Sequence, residues 1–131
     1  MILVDTCVLV FDSLQPERLS QKAQAALDEA EERSALFCCD ISLWEIAMLV
    51  AKGRLDPGTD SLSYIDLALT ARQIIVLPII PAIAHLSVAM TKWNHYDPAD
   101  RIIAATARHH HARLVTSDKR LLQLQGIETI W

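Results

Sequence analysis

The sequence predicts an α/β protein, a three-layer α/β/α sandwich around a mostly parallel central sheet. Strand-like and helix-like segments alternate through most of the chain. The strand-like segments are short aliphatic runs without polar alternation, the pattern of strands covered on both faces by helices. The chain has 131 residues, 52% of them hydrophobic, which suits one domain over 1–131 with a substantial core and excludes a disordered polymer.

The elements follow in order. Ile2 to Val4 is a short aliphatic strand that runs directly into Asp5. Residues 16–33 place Leu19, Ala23, Ala26, Leu27 and Ala30 on one face of an amphipathic helix. "ALFCCD" is a second strand. "SLWEIAMLVAKGRL" opens a helix with a Ser-x-x-Glu capping box at Ser42 and Glu45, and that helix stops near Gly53. "PGTDSLSYIDLALTARQ" is a turn and a helix, and "IIVLPI" a strand. "PAIAHLSVAMTKW" is a helix with Pro81 near its start. "DPADRIIAATARHHH" is a helix opened by Asp97 and Pro98, "RLVTSD" a strand, "KRLLQLQG" a brief helix closed by Gly126, and "IETIW" a last strand. There is no internal repeat, low-complexity tract or linker.

Composition narrows the function classes. The longest apolar stretch, residues 74–84, is broken by Pro78 and Pro81 and is too short to span a bilayer, so no membrane partner is expected. No basic leader precedes a hydrophobic segment, so no secretory signal is expected either. Cys7, Cys38 and Cys39 lack zinc or redox spacing and read as buried thiols of a cytoplasmic protein. The formal charge is −4, yet residues 91–131 hold six basic residues against four acids. If those acids gather at a metal, the remaining surface of that half is basic, so net charge does not exclude a nucleic acid.

The acids fall at informative positions. In a parallel sheet, ligands bind beyond the carboxyl ends of the strands. Asp5 ends the first strand, Asp118 follows "LVTS", and Glu45 lies in the first turn of a helix. Asp97 and Asp100 share a face at the start of another helix. Each also has a structural reading, Glu45 in a capping box and Asp5, Asp97 and Asp118 as caps. Charging a buried, unpaired acid costs several kcal/mol, however, and clustered carboxylates push one another's pKa upward. A hard divalent cation with oxygen ligands, Mg²⁺ or Mn²⁺, relieves both and suits phosphodiester hydrolysis. Arg101, Lys119 and Arg120 flank the acids and are candidates for substrate phosphates or for plain solvated surface.

The stretches "ILVDTCVLV", "DISLWEIAMLVAKGRL", "HYDPADRIIAATA" and "LVTSDKRL" resemble, in order and spacing, the four acidic motifs of PIN-domain ribonucleases, above all the VapC-type toxins of bacterial toxin–antitoxin pairs. The likeness runs from Met1 to Trp131. It implies that Asp5, Glu45, Asp100 and Asp118 are the catalytic, metal-binding acids. Thr6 and Thr116 match hydroxyl positions, and Asp97 matches a supporting acid of the subgroup bearing "DPxDR". It further implies Mg²⁺- or Mn²⁺-dependent hydrolysis of single-stranded RNA by water, without a covalent intermediate, leaving a 5′-phosphate and a 3′-hydroxyl. The partners it implies are a homodimeric copy and a cognate antitoxin, with DNA bound only through that antitoxin.

Other residues invite other readings. Three consecutive histidines, 109–111, point about 100° apart on a helix and do not converge on one ion. Trp44 is a core or dimer contact before it is a base-stacking residue. Trp93, His95 and Tyr96 stay open between groove and interface. Cys7 as a nucleophile lacks an oriented base. "ILVDT" also resembles the first strand of haloacid dehalogenase-like phosphatases, but the second acid that chemistry needs is replaced by Cys7. An idle PIN-like interaction module is the third reading.

Overall fold

The computed structural model describes residues 1–90 and 97–131. Strands β1 (Ile2–Val4), β2 (Leu36–Cys39), β3 (Ile75–Leu77), β4 (Arg113–Val115) and β5 (Thr129–Ile130) form one sheet in the order β3-β2-β1-β4-β5. Every pairing is parallel, with Ile2 opposite Leu36 on one side and Arg113 on the other. The helices are α1 (Thr6–Leu14), α2 (Gln21–Glu32), α3 (Asp40–Ala51), α4 (Ser61–Ala71), α5 (Pro81–Ala89), α6 (Pro98–His109) and α7 (Lys119–Leu122). None of the described helices is long and apolar enough to cross a membrane.

Period-two alternation builds the three layers. Ile2 and Val4 of β1 and Val115 of β4 join Val8, Leu9, Ala23, Leu27, Ile46 and Tyr64 on one face. Leu3 and Leu114, one residue out of phase, join Ile83, Ile103 and Leu121 on the other. Ala104, Ala105 and Ala107 are buried on α6, and their small side chains let that helix lie close to the sheet. The α/β sandwich expected from the sequence is the fold observed, with a sheet that is parallel throughout.

Several local expectations need correction. Helix α1 is not among the expected elements; it begins immediately after β1, with Asp5 as its N-cap. The helix expected over 16–33 begins only at Gln21, where the Ser20 side chain accepts from Ala23 N–H at 3.0 Å. Pro16–Arg18 is instead a 3-10 turn, and Leu19 is extended. Helix α3 starts at Asp40, ahead of the expected capping box, so Ser42 and Glu45 do not cap it. Residues 91–93 at the end of the helix expected from Pro81, with Trp93, lie outside the described residues, as do His95 and Tyr96. Cys38 and Cys39 are buried as expected, whereas Cys7 is only partly covered.

Arg72 at the end of α4 ties three helices together. Its Nε and Nη2 donate to both oxygens of Asp12 on α1, at 2.6 and 2.7 Å, and its Nη1 donates to Asp28 and Glu31 of α2. Arg72 and Asp12 are both largely buried, so removing the cation strands a desolvated carboxylate. Arg72→Ala is expected to cost about 2–3 kcal/mol in urea denaturation, discounted because Asp28 is exposed.

Candidate active site

The strand order reverses between β1 and β4: the chain leaves β1 toward β2 on one side and returns to β4 on the other. At such a switch the connections diverge and open a crevice beyond the carboxyl ends of the strands. A cleft of about 1020 Å³ lies here, and Asp5, Glu45, Asp97, Asp100 and Asp118 all line it. Five of the six carboxylates that line the opening therefore come from the four acidic segments, and the sixth is Asp56 after α3. Asp5 is 4% and Asp100 8% exposed.

Asp5 is held on every side. As N-cap of α1 its Oδ1 accepts from Thr6 N–H at 2.7 Å. Its Oδ2 accepts from Thr116 Oγ1–H at 2.7 Å and from Cys7 Sγ–H at 3.5 Å. Thr116 is itself oriented, because its hydroxyl oxygen accepts from Asp118 N–H at 3.1 Å. The Thr116 bond crosses the switch and ties the end of β4 to the end of β1. Burial nevertheless pushes the Asp5 carboxyl above its ordinary value, against these bonds, and the Asp118 charge adds to the rise.

Glu45 lies one turn into α3 and reaches back to α1. Its Oε1 accepts from Thr6 Oγ1–H at 2.5 Å, and Thr6 Oγ1 shares a 2.9 Å hydrogen bond with Ser42 Oγ. Ser42 has no exposed surface and is a positioning residue that the sequence disguised as half of a capping box. Desolvation raises the Glu45 carboxyl to about 7, and the charges of Asp5, Asp100 and Asp97 raise it in the same direction. The Thr6 hydrogen bond opposes that rise.

Asp97 and Asp118 take the capping role weighed for them from the sequence. Asp97 is the N-cap of α6 and accepts from Ala99 N–H at 2.9 Å. Asp118 is the N-cap of α7 and accepts from Arg120 N–H at 2.9 Å. Both caps also line the cleft, and the helix starts beneath them favour negative charge.

The basic candidates divide. Arg120 lines the cleft, with its Nε 3.5 Å from Asp118. Arg101 is not on the cleft: its Nε donates to the Ser87 carbonyl on α5 at 2.8 Å. Lys119 is exposed and also lies off the cleft lining. Arg18 and Arg54, which no sequence motif singles out, do line it. Arg18 stands beyond α1 and Arg54 beyond α3, near the end of the second acidic stretch, and the tertiary fold brings both to the cleft.

The remaining candidates resolve simply. Trp44 is 58% exposed, which removes the core reading. Helix α6 ends at His109, with His110 as its C-cap and His111 in the left-handed region at φ 52°; the His109 and His110 rings pack edge to face, with centroids 4.9 Å apart. Burial and the Asp5 charge push the Cys7 thiol up to about 12, the opposite of an activated nucleophile.

The donor chemistry of the cleft fits a hard divalent cation. Every acidic ligand is oxygen, and Asp5 and Glu45 are both destabilised in their charged forms. Among the described residues no three His, Cys, Asp or Glu side chains stand close enough together to hold a metal ion as they are placed.

The family model described as PIN domain matches residues 2–127. The chain is 38% identical over 120 residues to Ribonuclease VapC22 of Mycobacterium tuberculosis, covering 92% of this chain and 88% of that one. Among solved structures it resembles VapBC2 of Rickettsia felis bound to a DNA fragment from their promoter, with a TM-score of 0.76, 16% identity and coverage of 98% and 97% of the two chains. It also resembles FitAcB of Neisseria gonorrhoeae, with a TM-score of 0.68, 22% identity and coverage of 98% and 96%. At these identities the structural likenesses speak to fold, whereas the family match and the Mycobacterium tuberculosis relative span nearly the whole sequence. The chain belongs to the PIN-domain family.

Proposed function

We propose that the protein is a metal-dependent endoribonuclease, the toxin of a toxin–antitoxin pair, silenced by a cognate antitoxin. The observation that carries this reading is the convergence of five carboxylates on one cleft at the switch between β1 and β4. The relationship to a VapC ribonuclease supports RNA as substrate, and the likeness to VapBC and FitAcB assemblies supports an antitoxin partner. DNA then concerns this chain only through that partner. A single PIN domain over 1–131, a homodimer and a cytoplasmic site of action complete the proposal, with Trp44 as exposed apolar surface for a second copy to cover.

In this reading Asp5, Glu45 and Asp100 hold Mg²⁺ or Mn²⁺, with Asp118 as the fourth acid and Asp97 in support. When bound, such an ion makes water a stronger nucleophile at neutral pH and steadies charge developing on the phosphate. The chain's own residues supply the geometry. Thr116 and the Thr6 amide fix both oxygens of Asp5. The Thr6 hydroxyl, backed by Ser42, fixes Glu45 against α1. Burial first, and then repulsion from Asp5, Asp100 and Asp97, raises the Glu45 carboxyl, and the repulsion falls when a cation shares the acids. Arg120 stands beside Asp118 where a phosphate of the substrate would pass.

The test is incubation of the purified protein with labelled single-stranded RNA, single-stranded DNA and duplex DNA in Mg²⁺ or Mn²⁺. Cleavage of RNA, with a 5′-phosphate on the new ends, is the expected result. Cleavage of duplex DNA in preference to RNA would overturn the reading. Thr116→Val, which removes the bond aiming Asp5, is expected to slow RNA cleavage by about 10–100-fold, the usual cost of losing a partner that orients a ligand. Single-turnover rates at saturating Mn²⁺ check it.

A further inference from the structure

The cleft has a second end. Beyond those five acids it is lined by Phe11, Leu14, Gln15 and Arg18 from α1 and the 3-10 turn, and by Arg54 and Asp56 from the segment after α3. We propose that Arg18, Phe11 and Arg54 form a remote RNA subsite that holds a phosphate and a base of the single strand away from the bond being cut. This rests on the ribonuclease reading and adds to it where the strand lies.

Electrostatics favour such a site. A phosphate backbone carries one charge per nucleotide, and the cleft meets it with five carboxylates at one end. At physiological ionic strength charges are screened only beyond about 8 Å, so the acids repel neighbouring phosphates as well as the reacting one. Fixed cations further along the cleft offset that repulsion. Three arginines line it, and Arg120 is already engaged by Asp118. Arg18 and Arg54 make no ion pair among the described residues. Asp56 beside Arg54 turns its Oδ1 to Gly58 N–H at 2.9 Å.

Arg18 is also held in place. Its guanidinium carbon lies 4.0 Å from the centroid of the Phe11 ring, a cation–π contact. Its Nη1 donates to Gln15 Oε1 at 3.2 Å. Phe11 is in turn braced by Trp131, with ring centroids 6.5 Å apart and planes tilted by 55°. A guanidinium plane supported from below by an aromatic ring offers its other face to a base and its edge to a phosphate, the pattern of single-strand recognition. An oriented arginine loses less freedom on binding than a free one.

The experiment measures cleavage of a labelled single-stranded RNA in Mn²⁺ over a range of salt, for the wild type, Arg18→Gln, Arg54→Gln, the double variant, Arg18→Lys and Arg33→Gln. Arg33 pairs with Glu29 on exposed surface and is not a lining residue, so its variant removes the same charge elsewhere. Thermal unfolding confirms that each variant is folded. For the double variant the expected result is a KM raised about ten-fold with kcat within about two-fold. The slope of log KM against log salt is expected to flatten by about 0.7 for each phosphate left without its arginine. Arg18→Lys is expected to restore the salt slope but only part of the KM, because the ammonium keeps the charge without the stacking plane. A double variant matching Arg33→Gln in KM and salt slope would overturn the subsite, and so would one that loses only antitoxin capture, which would make the arginines a protein-binding surface. Failure of the wild type to cleave any RNA would overturn the ribonuclease reading and the subsite together, an outcome distinct from wild-type cleavage with indifferent arginines.

Discussion

Asp5→Asn is expected to lower RNA cleavage on the order of 10³-fold, equivalent to about 4 kcal/mol of barrier, while leaving the protein folded. The two halves of that expectation come from the same geometry. Asn keeps the Oδ1 acceptor for Thr6 N–H, so the cap of α1 survives. Its amide meets the Thr116 hydroxyl oxygen where a carboxylate oxygen stood, so the hydrogen bond across the switch is kept with its donor reversed. What disappears is a negative charge in a buried setting whose burial pushes the carboxyl upward. Folding therefore gains or stays level at neutral pH, and only the chemistry is lost. Rates in Mn²⁺ beside thermal unfolding at pH 7.5 check both halves, and growth on induction supplies a third readout. Undiminished toxicity at matched expression would contradict the proposed role of Asp5.

Activity and cation-free stability are expected to move in opposite directions with pH. Glu45 has a folded-state carboxyl near 7 against an ordinary value of 4.5, and Asp5 is also raised. For an acid with a raised pKa the folded state binds the proton more tightly than the unfolded one, so its charge costs stability above the folded pKa. That cost is relieved as pH falls from about 7 toward 4.5 and is absent below both values. In EDTA the melting temperature is thus expected to rise between pH 8 and pH 5.5. Below about pH 4 other acids take over: Asp28, held low by Arg72, loses that stabilisation on protonation. RNA cleavage is expected to fall over the same interval from pH 8 to 5.5, because protonated carboxylates release the ion. Added Mn²⁺ should raise the melting temperature clearly at pH 8 and little at pH 5.5. Calorimetry with and without Mn²⁺ reads the stability, and Glu45→Gln should flatten most of its pH dependence. A melting temperature that falls steadily from pH 8 to 5.5 in EDTA would contradict the electrostatic description of the cleft.

The parallel sheet is legible in the sequence because its strands are aliphatic without alternation, and the acids are legible because four of them stand at strand ends or helix starts. Helix α1 is not. Its sequence, "TCVLVFDSL", is rich in residues that favour strands, and its helical state comes from the Asp5 cap and from packing Val8 and Leu9 into the core. Ser42 and Glu45 mislead for a related reason. Ser-x-x-Glu matches a capping box, but α3 has already begun at Asp40, which frees both side chains to meet Thr6. Arg18 carries no local signal, since it neighbours no acidic motif, and Arg54 stands near the end of the second acidic stretch, where only the fold shows that it lines the cleft. Conversely, Arg101 does neighbour one and yet turns to the Ser87 carbonyl, because i and i+1 on a helix face different directions.

Whether the carboxylates serve to hold a cation is decided by a chelation series on one purified preparation acting on single-stranded RNA. The rate would be followed in Mg²⁺ or Mn²⁺, after EDTA, and after Mn²⁺ is returned in excess, with Asp5→Asn prepared identically alongside. Carboxylates gathered at the β1–β4 switch to hold a cation predict cleavage that EDTA abolishes, that returned Mn²⁺ restores, and that the variant lacks under every condition. RNA cleavage by the wild type that persists undiminished in EDTA would contradict the cation site.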